Sequence, residues 1–292
     1  MNFTKISLII VALFMSFTAM NAYADNAREI VQKALDRDDG TTEVSLIKLS
    51  TCRYTKKGKK IVCAETRRVK ALESVRKDYG PAEKDKKSVT IVKAPAGERG
   101  IGFLQYDYEE QGRETDQWMY YSALNKVKRI VSGNENEPKT GSFFGSEIGY
   151  EDLETKHIDD YVYKIVAEET YRKQPCWVVE SIPTPEHARK SNYSKSLDWI
   201  DKEHYRFQKS ILFSRSGKKV KRLSMRNYER IDNVWIARQM LANNLRDKRI
   251  TTMSIETVTI NAPVEDAFLT LRTLTDGAFR EGMLLKIRAE LK

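Results

Sequence analysis

Histidine and cysteine are scarce in this 292-residue sequence, with three of each. His157, His187 and His204 form no compact metal-ligating cluster with a cysteine, and the spacing around Cys52 and Cys63 is not that of a zinc site. No Rossmann or P-loop glycine pattern follows a strand, and no Gly-x-Ser-x-Gly elbow occurs. Acidic pairs such as Glu151-Asp152 and Asp159-Asp160 are too common to mark acid–base catalysis without geometry. The sequence therefore offers no catalytic residue, no metal site and no cofactor motif, and the expectation is a protein that is not an enzyme. Only 7 prolines and 14 glycines are present, which excludes collagen-like and low-complexity chains. One apolar run, Ile6 to Met20, is too little for a polytopic membrane protein.

That run follows Met1-Asn2-Phe3-Thr4-Lys5 and ends at Ala22-Tyr23-Ala24, a small-x-small site. A basic start, an apolar centre and such an ending predict a cleaved secretory signal peptide over 1–24, with Asp25 the first mature residue. Cleavage removes one charged residue, Lys5, and leaves 268 residues with a formal charge of +9, against +10 for the whole chain. No cysteine sits at the cleavage point to take a lipid anchor. The expected product is soluble, periplasmic and mildly basic. Length alone suggests two domains, but large β-domains exceed that rule, and a single domain over 25–292 fits the pattern better.

Asn26 and Glu29 form a capping box, and Ala27, Ile30, Val31, Ala34 and Leu35 share one helical face, so a helix is predicted to about residue 39, before Gly40. Period-two segments then dominate, near 43–54, 60–75, 88–94, 101–110, 115–122 and 126–131, and later near 175–182, 218–228, 233–242 and 249–260. Tyr161, Tyr163, Ile165 and Ala167 share a strand face, as do Tyr205, Phe207, Ile211 and Phe213, interrupted by Lys209. The whole reads as a long antiparallel meander, mainly β with minor α. Cys176-Trp177-Val178-Val179 and Val234-Trp235-Ile236-Ala237 are apolar on both faces, so something must cover the second face. A curled sheet around an interior, partly capped by the first helix, meets that need.

Folding the chain about Lys57-Gly58 sets Cys52 opposite Cys63, close enough for a disulfide in an oxidising compartment. Cys176 is left over as a buried small apolar residue. Basic runs at Lys56-Lys57, Lys59-Lys60, Arg67-Arg68, Lys126-Val127-Lys128-Arg129 and Lys218-Lys219-Val220-Lys221-Arg222 are spread through mixed charge. They accompany no nucleic-acid motif, and transient contact with anionic phospholipid suits an exported protein better than nucleic acid does. The polar stretches 77–87 and 132–140 read as surface loops.

The segment Trp118-Met119-Tyr120-Tyr121-Ser122-Ala123-Leu124-Asn125-Lys126-Val127-Lys128-Arg129-Ile130, followed by Gly141-Ser142-Phe143-Phe144-Gly145-Ser146-Glu147-Ile148-Gly149-Tyr150-Glu151-Asp152-Leu153, resembles the LolA-like outer-membrane lipoprotein-sorting family. The match is to its larger branch, associated with RND/MMPL-type exporters. It continues through Trp199-Ile200-Asp201-Lys202-Glu203, Tyr205 and Gly217-Lys218, and covers nearly all of the mature chain. The resemblance implies an unclosed antiparallel β-barrel or strongly curved sheet with a helical lid over an apolar cavity. It also implies a periplasmic carrier of lipid, lipoprotein or other hydrophobic cargo, working with an RND/MMPL-type inner-membrane exporter. The arginine that controls the lid in the smaller LolA proteins has no matching residue here, so hydrophobe carriage is implied more strongly than lipoprotein transfer.

The candidates for core or cavity lining are Trp118, Tyr120, Phe143, Phe144, Trp177, Tyr205, Phe207 and Trp235. Among them Phe143-Phe144 lies between Gly141, Gly145 and Gly149, which suit a tight, mobile segment at a cavity mouth. Glu151 and Asp152 are expected to cap a short helix after it. Two rivals remain: a non-carrying accessory subunit of an exporter, and an enzyme acting on envelope lipid.

Overall fold

The computed structural model describes residues 26–290 apart from 59, 81, 135 and 136. The signal peptide expected over 1–24 lies outside the described residues. Helix α1 covers 26–35. The strands are β1 (Thr42–Lys57), β2 (Lys60–Cys63), β3 (Arg68–Tyr79), β4 (Asp85–Ala94), β5 (Gly102–Asp107), β6 (Asp116–Tyr121) and β7 (Lys126–Ile130). After a long connection come β8 (Tyr161–Tyr171), β9 (Gln174–Pro183), helix α2 (Pro185–Lys190), β10 (Tyr193–Asp201), β11 (Phe207–Ser214), β12 (Lys219–Ile231), β13 (Val234–Asn244) and β14 (Arg249–Ile260). Helices α3 (Leu271–Thr275) and α4 (Gly277–Glu290) follow.

The strands form one antiparallel sheet in the order β7-β6-β5-β4-β3-β1-β14-β13-β12-β11-β10-β9-β8, with β2 paired to the outer end of β1. Strands β7 and β8 are its two edges, so the sheet is unclosed. It curls strongly: Lys86 on β4 and Ser210 on β11, far apart in strand order, line one cavity. The fold is mainly β, an unclosed and strongly curved antiparallel sheet with few helices, as expected from the sequence.

Burial on both faces explains the mixed hydrophobic pattern. On the outer face Val75, Val89, Ile91 and Leu104 pack against Phe268, Leu274, Leu284 and Ile287 of the C-terminal segment. On the inner face Leu49, Leu72, Val92, Phe103 and Met119 pack against Phe143, Phe144, Ile148 and Tyr150. Gly102 sits where α3 crosses β5, and a Cβ there would lie 2.7 Å from Leu274 and 2.9 Å from Ile91. The Cys176-Trp177-Val178-Val179 run divides as its composition requires: Trp177 and Val179 face α1, while Cys176 and Val178 pack with Trp199 on the other side.

The helix α1 stripe is as expected, with Ala27, Ile30, Val31 and Ala34 all buried against Tyr163, Val179 and Ile200. The helix ends earlier than its predicted limit of 39: the Asp36 side chain accepts from Gln32 Nε2 at 2.7 Å, and 36–39 follow as irregular chain. The segment predicted over 60–75 is two strands, because β2 pairs with the outer part of β1 and the chain then shifts to pair its inner part as β3. The Cys52–Cys63 disulfide is formed, with Cα atoms 5.8 Å apart. Its register differs from the expected one, since Tyr54, not Cys52, stands directly opposite Cys63. Helices α3 and α4 lie beyond the last segment that the sequence pattern predicts, 249–260. The α4 stripe of Met283, Leu284 and Ile287 is short and set among charges, so it gains its helical burial from the sheet beneath.

Candidate functional site

The connection from β7 to β8 crosses the inside of the sheet and is fastened to both halves. Gly141 has φ +107°, and a Cβ there would lie 2.7 Å from the Tyr150 ring, so the turn needs glycine. Glu147 accepts from Asn244 Nδ2 at 2.9 Å and pairs with Arg249, tying the segment to β13 and β14. Asp152 accepts from Gly149 N at 2.6 Å and Tyr193 Oη at 2.7 Å and pairs with Lys221, while Glu151 accepts from Asn192 N at 2.8 Å. The two acids expected to cap a short helix do open a 3₁₀ turn, but their main bonds reach across to the α2–β10 link, β10 and β12. Gln105 and Gln117 bond the backbone carbonyls of Leu153 and Tyr150 at 2.8 and 3.1 Å.

Beside this plug lies a cavity of about 520 Å³, bounded by the end of α1, the plug, and strands β8 to β12. That volume is in the range of small-molecule sites, roughly 300–1,000 Å³. Most of its lining is charged or polar, with a smaller apolar side. Ala34, Leu35, Tyr161, Pro183, Phe207, Leu212 and Leu223 form an apolar side. Lys139, Glu154, Lys156, Ser196, Asp198 and Ser210 form a polar one.

Within the polar wall, Lys156 Nζ lies 3.7 Å from Asp198 and stands 4.3 and 5.3 Å over the rings of Tyr161 and Tyr163. Asp198 also accepts from Ser196 at 2.7 Å and Ser181 at 3.2 Å. Burial pulls the Lys156 ammonium below its usual pKa, against the Asp198 charge. Lys139 donates to Glu154 at 2.7 Å and to the Thr115 carbonyl at 2.7 Å. Burial pushes the Glu154 carboxyl up to about 6 in spite of Lys139. His187 meets Tyr161 Oη with Nε2 at 2.8 Å and Asp160 with Nδ1 at 3.3 Å. Burial lowers its pKa, with the Asp160 charge pulling the other way. Both of its ring nitrogens are thus engaged, and neither faces a serine or cysteine as a general base would.

The eight aromatic candidates are distributed among different environments. Phe207 alone of them lines this cavity. Trp177 and Tyr205 stack at 5.5 Å in the cluster under α1. Trp118 meets Tyr106 edge-on at 5.1 Å, and Tyr120 lies in the same outer cluster. Phe143 and Phe144, with ring centroids 4.4 Å apart, are 5% and 8% exposed inside the core, not at a cavity mouth. Trp235 lies against His204 at 5.0 Å and beneath the Arg206 guanidinium at 4.5 Å. The polar wall escaped the sequence reading. Ser196 and Asp198 alternate with Leu197 and Trp199, a pattern that reads as a wet strand face, and only the overlying plug and Lys156 reveal it as an interior one.

A family model described only as that of an uncharacterized protein matches residues 84–276. The chain belongs to that family. None of the curated proteins matches it. Among solved structures it is similar to a domain provisionally named an outer membrane lipoprotein-sorting protein from Vibrio parahaemolyticus. The identity there is 27% and the TM-score 0.74, covering 86% of this chain and 99% of that one. A DUF1329 family protein from Desulfovibrio piger gives 23% identity and a TM-score of 0.72 over 87% of this chain and 98% of that one. A LolA superfamily protein from Nitrosomonas europaea gives 16% and 0.59 over 84% and 97%. The latter two likenesses establish the fold alone. Among the described residues no helix is long and apolar enough to cross a membrane, and no group of three or more His, Cys, Asp or Glu side chains could hold a metal ion.

Proposed function

We propose that this chain is an exported periplasmic carrier that shelters an amphiphile, a lipid or an acylated protein, in the cavity under α1, with 25–292 acting as one unit after signal-peptide cleavage. The observation that carries the reading is the two-sided lining. Leu35, Phe207, Leu212 and Leu223 suit an acyl chain, and Lys156 with the serine hydroxyls suits its head group. Each methylene moved from water to such a wall contributes about 0.8 kcal/mol, so even a partly sheltered chain is held. The similarity to a lipoprotein-sorting domain supports the same direction. Binding and release suffice, with no covalent step. Of the sequence candidates, Phe207 keeps its proposed place as a ligand contact. An RND/MMPL-type inner-membrane exporter is the proposed partner that loads or receives the cargo, and co-purification after cross-linking in cells tests it.

Native mass spectrometry of the gently purified mature protein, with lipid extraction, tests the carrier. The wild type is expected to retain lipid or to rebind a fatty acid after delipidation, and Leu35→Glu is expected to abolish both while melting normally. A wild type that neither retains nor rebinds any amphiphile would sink the reading. A second reading, an accessory subunit of an exporter that carries nothing, draws on the plug, whose Phe143, Phe144, Ile148 and Tyr150 already fill much of the inner face. Stable exporter binding by lipid-free protein would favour it.

A further inference from the structure

The face of the sheet opposite the cavity carries a feature that shelter of cargo does not use. Leu223 lines the cavity, while its neighbours Arg222 and Ser224 point the other way into a trough of about 470 Å³. Lys60, Arg67, Arg222 and Arg226 border this trough, and no aspartate or glutamate lines it. Elsewhere the cations of this protein are commonly paired, as Arg249 is with Glu147, Arg288 with Glu73 and Lys221 with Asp152. The side chains of these four have no hydrogen bond or ion pair among the described residues, and Arg226 Nε is buried without any partner. Ser224 and Asn243, both 3% exposed, provide polar groups at its base. A buried guanidinium nitrogen with no acceptor is costly unless an outside acceptor reaches it.

The wall of the trough has its own character. Strand β2 stands over it, fixed to β1 by the Cys52–Cys63 disulfide. It exposes Ile61 and Val62, at 37% and 38%, next to Lys60 and across from Lys56 and Lys57. Exposed aliphatic side chains ringed by lysines match the boundary between lipid head groups and acyl chains. Unpaired arginines in a carboxylate-free recess match a phosphate.

We propose that this trough and the β1–β2 hairpin form a docking surface for an anionic phospholipid bilayer. One lipid phosphate sits against Arg222 and Arg226, while Ile61 and Val62 rest at the head-group boundary. Mutual repulsion supports an anion there, since burial and the neighbouring Arg172 and Arg222 charges both weaken proton retention by Arg226. The proposal deepens the carrier reading by locating its membrane contact, on the face away from the cargo.

The test is flotation of the full mature protein, disulfide intact, with phosphatidylcholine vesicles lacking or containing phosphatidylglycerol. The wild type is expected to float only with the anionic vesicles. Two cations near such a surface are worth about fivefold each, so Arg222→Gln with Arg226→Gln should lose roughly twenty-five-fold in binding, while Arg272→Gln with Lys286→Gln, on the distant helices α3 and α4, should lose far less. Should the first pair melt early, Lys60→Gln with Arg67→Gln, both exposed, decides the matter in the same way. Equal losses in the remote pair, or no dependence on phosphatidylglycerol, would overturn the proposal. Full competition by inorganic phosphate at constant ionic strength would also overturn it, by identifying a soluble anion as the ligand. Lipid retained in the cavity is read separately by mass spectrometry. Its persistence in the trough variants is expected, and its absence from wild type that still floats would defeat the carrier while leaving the docking surface standing.

Discussion

Asp201 and Arg206 form a buried ion pair across the turn between β10 and β11, with Arg206 Nε 2.8 Å from Asp201 Oδ2 and side chains 0% and 6% exposed. Asp201 also accepts from His204 N at 2.7 Å and Gln208 Nε2 at 3.0 Å, and the guanidinium lies between the rings of Tyr228 and Trp235 at 4.8 and 4.5 Å. The Trp199-Ile200-Asp201-Lys202-Glu203 motif is thereby an architectural one: its acid organises a turn and orients an arginine.

Burial pushes the Asp201 carboxyl up, but the bonds from Arg206, His204 and Gln208 outweigh it and hold the group below the usual aspartate range. Its stabilisation is present above the unfolded pKa and is lost as pH falls through the folded one. Asp201→Asn, which strands Arg206, is expected to cost about 3–5 kcal/mol near neutrality. The difference from wild type should shrink as pH drops below about 4, where the unfolded aspartate titrates. Urea titrations across this range check it, and a pH-independent difference would rule out the charge argument.

Glu154 has the opposite sign. Burial raises its carboxyl from 4.5 to about 6, so the folded state holds the proton more tightly than the unfolded chain does. Its contribution is greatest below about pH 4.5 and is lost as pH rises through about 6, by on the order of 2 kcal/mol. The stability of Glu154→Gln minus that of wild type should therefore climb by about 2 kcal/mol between pH 4 and 8. A flat difference curve would contradict this.

Phe144 has φ 48° and ψ 35°, a left-handed conformation for a buried aromatic. Removing its ring should cost about 3–5 kcal/mol in Phe144→Ala. Phe144→Gly, with no Cβ to strain, should be more stable than the alanine variant by about 1 kcal/mol, the reverse of the usual order. Paired thermal melts of the two variants decide between these orders.

Replacing both Cys52 and Cys63 with alanine should lower stability by about 1–3 kcal/mol, since the bridge closes only a short loop. Cys176 is fully buried and burial raises its thiol pKa, so the oxidised native protein should show no rapidly titrating thiol. A thiol reagent reacting promptly with folded wild type would contradict one of these two assignments.

Local pattern was enough for much of the fold. The Ala27, Ile30, Val31, Ala34 stripe, the strand meander, the doubly apolar 176–179 run and the Cys52–Cys63 pairing were all legible, because each rests on side-chain period or on neighbours close in sequence. Strand faces were less secure. Bulges shift the pairing between Leu46 and Ile47, and between Trp199 and Ile200, and each extra residue reverses which side chains face inward. That reversal sets Phe207 with the α1 cluster and Ile211 with the opposite one, although the sequence puts both on one face.

The sequence by itself determined the class: a basic, mainly β chain with a short amphipathic helix near its start, one hairpin disulfide and no recognisable catalytic signature. Only the tertiary structure decided what the interior is. Curling brings Lys86, Lys156 and Asp198 to one cavity from strands and loops remote in the chain, and the 141–153 plug buries the phenylalanines that sequence would set at a rim. Burial is a property of what comes to lie on top of a strand face, and that partner is fixed by the path of the whole sheet rather than by the strand's own residues.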